Sequence, residues 1–268
     1  MTSPNPDVVG IDFSGAKNAG KHIWISTGTE SSGVLQISNC EKASDFFAVK
    51  NDKRKIFTEL VDWIDSLNNT TIGIDFPFGV PEIIAEVVFD AKSWLKFVDS
   101  SHWSGLTPDR FRQQCVNFSK SELRDTDAMH RADCPHSIRI YKQTFHGIRD
   151  ILKPLIQRGV SIAPMVNRGN TTVLETYPAA TLARENGLFA TRYKSRASTR
   201  DRRKHNVHAL SNLSDLDISS VPRNKIIDNK GGDAMDSLVA SLATFRASTN
   251  SSPFNVSPQN LIEGHIYA

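Results

Sequence analysis

Val8-Val9-Gly10-Ile11-Asp12-Phe13-Ser14-Gly15-Ala16-Lys17, VVGIDFSGAK, joins an apolar run with the composition of a buried strand to an aspartate and a small turn carrying a lysine. The design returns at residues 70–81, TTIGIDFPFGVP, where another apolar run ends in Asp75 and is cut off by Pro77 and Pro81, which cannot continue a central ladder. A single strand-end aspartate commonly caps the next turn through backbone N–H groups. Two in the same setting, with further acids downstream, ask for a different explanation.

Working outward, KHIWIST (residues 21–27) and GVLQISNC (33–40) are short, β-branched and bounded by Gly, Asn, Ser and Thr, so with the opening stretch they read as a run of antiparallel strands. Residues 55–67, KIFTELVDWIDSL, place Ile56, Leu60, Trp63, Ile64 and Leu67 at helical spacing. From about 83 to 156 the pattern is helical and irregular, an expected helical insertion without a strand. Residues 171–187, TTVLETYPAATLARENG, read as a fifth strand ending near Glu175, followed by a helix that starts at Pro178. Residues 231–245, GGDAMDSLVASLATF, form a last helix with Asp233 and Asp236 three apart in its first turns. After about 248 the chain is polar and reads as a surface tail with few contacts. The order βββαβαβα belongs to a short list of α/β folds, expected here as a single domain over 1–268.

The bulk numbers constrain function weakly. The 268 residues carry 32 Lys and Arg against 29 Asp and Glu, and a net charge of +3 identifies no partner until the charges are located. Three cysteines without a CxxC spacing fit a reducing compartment, and no apolar run reaches a membrane span; a soluble, cytoplasmic protein is expected. Cys115, His130, Cys134 and His136 do not follow a zinc-finger spacing and read as thiols and imidazoles scattered through the insertion.

Asp12, Asp75, Glu175, Asp233 and Asp236 occupy strand ends or the start of a helix. If the first and fourth strands are neighbours, their acids emerge side by side, and a last helix packed across that face adds one or two more. Like charges that close cannot all ionise without a cation. Oxygen-only clusters suit Mg²⁺ or Mn²⁺, which leave room for substrate phosphate oxygens. The basic run from Arg192 to Lys204, with Arg196, Arg200, Arg202 and Arg203 around Tyr193 and Lys194, offers phosphate contacts to a nucleic acid, or else is a solvated loop between helices. Lys17, just after the strand-end acid, either reaches a phosphate or is an ordinary surface lysine.

The blocks IDFSGAK, IDFPFGVP, ETYPAA and GDAMDSLVAS, in this order between about Val8 and Phe245, resemble domain-of-unknown-function family 429, a group within the ribonuclease H-like superfamily. In the related Holliday-junction resolvases the final helix likewise presents two aspartates three apart. The resemblance implies a ribonuclease H-like fold, an α/β five-stranded mixed sheet of three antiparallel strands then two parallel, flanked by helices and carrying the helical insertion. It also implies a nuclease that hydrolyses phosphodiesters by a two-metal mechanism, with Asp12, Asp75, Asp233 and Asp236 as metal ligands and Glu175 as a further catalytic acid or a helix-entry carboxylate. Two rivals stay open. DFSGAK also resembles the phosphate-holding turn of actin-like ATPases and sugar kinases, and a non-catalytic nucleic-acid-binding module would keep the basic run.

Overall fold

A computed structural model describes residues 6–50, 52–194, 199–250 and 254–268. The strands are β1 (Val8–Asp12), β2 (Trp24–Ser31), β3 (Val34–Lys42), β4 (Thr71–Asp75), β5 (Ser161–Ile162), β6 (Thr172–Thr176), β7 (Leu216–Asp217) and β8 (Ile266–Tyr267). They form one mixed sheet in the order β5-β6-β4-β1-β2-β3-β7, with β8 also on β6. β1, β2 and β3 make an antiparallel meander, while β4 pairs parallel with β1 and β6 parallel with β4. These five are the expected strands. Among the described residues the sheet nevertheless has eight, because β5, β7 and β8 are two residues long and two residues carry no readable period.

Strand parity divides the chemistry. Val9, Ile11, Ile72, Ile74 and Val173 project to one face, where they pack with Ile56, Phe57 and Leu60 of the Lys53–Ser66 helix and with Phe145, Ile148 and Ile151 of the insertion. Gly10 and Gly73 are register partners on the opposite face, and Asp12 and Asp75 follow two residues on. The 18-residue helix Asp233–Asn250 crosses that face. It lies almost on the backbone: a Cβ on Gly10 would strike the Ser237 carbonyl and the Ser241 amide, and one on Gly73 would strike the Thr244 hydroxyl. The helix answers with small residues, and the Ser26 and Ser237 hydroxyls share a hydrogen bond of 2.7 Å across the contact.

Between β4 and β5 the insertion is a series of short helices joined by loops, with no strand before β5, and Trp103 and Phe111 pack with Phe89, Phe97 and Phe145 in its core. The tail departs from the expectation of few contacts. Asn260–Glu263 forms a helical turn, β8 extends the sheet beside β6, and the buried Glu263 carboxylate accepts from the backbone N–H of Glu82 (2.7 Å) and of Asp125 (3.2 Å). Two helix starts of the insertion are thereby capped from the far end of the chain. No helix among the described residues is long and apolar enough to cross a membrane.

Candidate metal centre

Asp12 and Asp75 are the last residues of β1 and β4 and stand opposite each other in the parallel register. Asp236, in the first turn of the Asp233–Asn250 helix, comes down between them because Gly10 and Gly73 leave nothing to hold the helix off the sheet. One carboxylate oxygen from each of the three lies within 4.8 Å of the others, and among the described residues no other group of His, Cys, Asp or Glu makes such a cluster. Asp12 and Asp236 are buried and Asp75 is half-buried.

Electrostatically the trio is short of positive charge. Burial, then the neighbouring Asp236, pushes the Asp12 carboxyl well above the usual carboxylate range, against the pull of Lys194. Burial also raises Asp75, to about 7, with Lys194 opposing and Asp236 adding to the rise. The Lys194 ammonium is ion-paired with Asp236 Oδ2, and the Tyr193 hydroxyl donates to Asp236 Oδ1 at 2.6 Å. Burial works against the Lys194 charge, yet Asp236 and the surrounding acids hold its pKa well above the ordinary lysine value. The third carboxylate is therefore gripped on both oxygens by adjacent residues. Lys194 was expected to contact substrate phosphate; in this arrangement it serves as the internal counter-ion of the acids.

The other acids take different places. Asp233 sits at the margin, raised above its usual range by burial first and then by Asp236, with His22 Nδ1 3.7 Å from its carboxylate. Glu175 does not join the trio. Its register partner on β4 is Ile74 and not Asp75, so it projects to the insertion side of the sheet. There both of its oxygens are held by Arg124, NH2 to Oε1 at 2.6 Å and NH1 to Oε2 at 2.8 Å, while the Phe78 N–H donates to Oε2. Arg124, with no exposed surface, also donates Nε and NH2 to Asp127. Burial disfavours its charge, but the two carboxylates outweigh that and keep the guanidinium charged. Glu175 is thus part of a buried ion cluster that ties the insertion to β6, which no local sequence signal announces.

The basic run is divided as well. Arg203 is 1% exposed and donates to the carbonyls of Ile227 and Tyr193 and to the Thr199 hydroxyl, so it braces the segment that carries Tyr193 and Lys194 and is not available to a substrate. Its helix, Arg200–Leu210, buries Arg203, Asn206, Val207 and Leu210 at i, i+3, i+4 and i+7. Arg200 pairs with Asp228, Arg202 lies over the Phe189 ring, Arg192 is exposed, and Arg196 lies outside the described residues. Lys17 is exposed in the SGAK turn. The turn is less open than its composition suggests: Gly15 abuts the Lys142 carbonyl of the insertion, and Gln143 donates to the carbonyl of Asp75. The insertion's Tyr141–His146 helix therefore forms a wall beside both strand ends.

An all-oxygen donor set drawn from two strand ends and a helix, deprotonated with difficulty when no cation is present, suits a hard divalent ion such as Mg²⁺ or Mn²⁺. No curated protein and no solved structure matches the chain. The sequence pattern of the family described as "Protein of unknown function (DUF429)" matches residues 10–259, a span that includes Asp12, Asp75, Lys194 and Asp236, and the chain belongs to that family.

Proposed function

We propose that this protein is a divalent-metal-dependent nuclease with a ribonuclease H-like fold, acting on phosphodiester bonds of RNA or DNA. The observation that carries this reading is the convergence of Asp12, Asp75 and Asp236 within 4.8 Å from three separate elements. Three antiparallel strands followed by two parallel ones, with acids ending the first and fourth and a third on the last long helix, is the arrangement that the ribonuclease H-like resemblance implies, and it supports the reading.

Asp12, Asp75 and Asp236 would hold the ions, with Asp233 at the margin as a fourth acid. Bound there, divalent ions supply water activation and stabilisation of the departing oxygen. The chain's own residues do the rest. Burial of the carboxylates keeps bulk water from screening their charge. Tyr193 orients Asp236, Lys194 balances its charge, and the exposed Arg192, with Lys17 in the SGAK turn, offers cations to a polyanion.

Purified protein with Mg²⁺ or Mn²⁺ is tested on labelled single-stranded, hybrid and branched nucleic acids beside Asp12→Asn and Asp236→Asn. Cleavage by the native protein and its loss in both variants is expected. Equal cleavage by all three would place the activity elsewhere. ATP hydrolysis without cleavage would favour the phosphate-holding reading of the DFSGAK turn, and binding unchanged by chelator without cleavage would favour a non-catalytic module.

A further inference from the structure

On the insertion side of the sheet, a cavity of about 680 Å³ opens between the Lys53–Ser66 helix and the π-helical stretch Gly147–Leu152. Phe57, Val61 and Pro154 give it an apolar floor, and Lys53, His146 and Asp150 a polar side. Single π-helical stretches of this kind are frequent at functional sites.

The hydrogen bonds leave the positive charge unspent. Lys53 Nζ lies 3.0 Å from His146 Nε2, and His146 Nδ1 lies 2.7 Å from Asp150 Oδ2. An ammonium only donates, so Nε2 accepts and Nδ1 carries the hydrogen given to Asp150. Asp150 is also held by Arg149, through Nε at 2.7 Å and NH2 at 2.9 Å, so its charge is matched there. Among the described residues neither Lys53 nor Arg54 has a carboxylate in ion-pair contact. Burial lowers the Lys53 ammonium from its usual range; Asp150 pulls the other way, and Arg149, Lys142 and Arg54 add to the lowering.

Lys53, Arg54 and Lys55 also fill the first three positions of a 14-residue helix whose first turn contains no acid beyond the capping Asp52. Cations are disfavoured at that positive end of the helix dipole, and an anion relieves both the dipole and the mutual repulsion. The volume falls within the range of about 300–1,000 Å³ usual for small-ligand sites.

We propose that this cavity binds an organic phosphate of mononucleotide size, its phosphate on Lys53 and Arg54 and its ring-bearing body over Phe57, Val61 and Pro154. This site is independent of the metal centre and of the nuclease reading. A free nucleotide and the terminal phosphate of a strand share the chemistry, and the test separates them.

Calorimetric titration of the full chain is run in chelator, so that the acid trio holds no metal–nucleotide complex, with AMP, adenosine, inorganic phosphate and a 5′-phosphorylated dinucleotide as probes. AMP is expected to bind at least about tenfold more tightly than adenosine or phosphate alone, since a charge-assisted contact and the apolar floor both contribute. The double variant Lys53→Gln/Arg54→Gln should lose that advantage without a fall in Tm, because glutamine removes cations from the helix start. Thr58→Trp, at an exposed lining position, should block AMP as well. A dinucleotide as tight as AMP assigns the site to strand ends, and a weaker one assigns it to free nucleotides. AMP binding no better than adenosine, or unchanged in both variants, would overturn the site.

Discussion

Asp12 and Asp75 are register partners on adjacent parallel strands, and each is the final residue of its strand. Their carboxylates share one face and one edge of the sheet, where the helix start brings Asp236 to meet them. With burial raising Asp12 and Asp75 above the usual carboxylate range, the acid trio is a locus of stored repulsion that protons or cations relieve.

The pH dependence of stability follows from that relief. The Asp75 carboxyl moves from an ordinary value of 3.8 to about 7 on folding, so the folded state binds a proton that the unfolded chain has released. Stability therefore falls as pH rises from about 4 through 7, and the loss is complete above the folded value; Asp12, shifted the same way, adds to the trend. In chelator, Asp75→Asn should melt above the native protein at pH 8 and close to it at pH 5. Thermal melts at both pH values check this, and a variant that is less stable at pH 8 would contradict it.

Lys194 stands where a bound cation would help, paired with Asp236 Oδ2. Lys194→Ala should lower the melting temperature of the metal-free protein at pH 8, because the acids lose their counter-ion, and tighten Mn²⁺ binding by about tenfold, because a neighbouring positive charge is gone. Calorimetry with Mn²⁺ reads the second effect. Weaker Mn²⁺ binding in the variant would mean that Lys194 supports the site in another way.

Close approach of helix to sheet is what delivers Asp236, and it depends on Gly10 and Gly73. Gly10→Ala should cost about 1–3 kcal/mol of stability through overpacking. It should also weaken Mn²⁺ binding in the protein that remains folded, since the helix start is displaced from β1. Denaturant titration and metal titration on the same sample separate the two effects; full Mn²⁺ affinity in a destabilised variant would show that the helix spacing is not what positions the acid.

Much of this arrangement was legible in the sequence, and what was not has a common cause. The two IDF strands, the amphipathic helix and the acidic helix start each carry a local period and a local stop signal, so Asp12, Asp75 and Asp236 could be singled out before their meeting was seen. Glu175 shares the strand-end signature but faces the other way, because its face depends on pairing with Ile74, a register between segments about a hundred residues apart. Arg203 reads from the sequence as one of the phosphate-contacting residues of the basic run, though the i, i+3, i+4 spacing to Asn206 and Val207 marks a buried face once the segment is known to be a helix. Arg124, beyond its neighbour Asp127, and Glu263 are polar residues whose distant partners come from β6 and from two helix starts, and nothing near them in the chain announces those partners.

Arg124 provides the complementary test, because it supports the fold apart from the acid trio. Arg124→Ala leaves Glu175 and Asp127 buried without their cation and should cost about 3–5 kcal/mol, measured by denaturant unfolding. Glu175→Gln should lower stability while leaving Mn²⁺ affinity within about twofold of the native value, as expected for a group on the other face of the sheet. Loss of Mn²⁺ binding in a folded Glu175→Gln protein would return this residue to the centre.

The most direct measurement is Mn²⁺ binding by calorimetry at pH 8 to the native protein and to Asp12→Asn, Asp75→Asn and Asp236→Asn, each shown to be folded. Saturable binding by the native chain, with loss in each of the three variants, is the expected result. Absence of binding by the native chain, or equal binding by all four proteins, would contradict the assignment of these carboxylates as a metal centre.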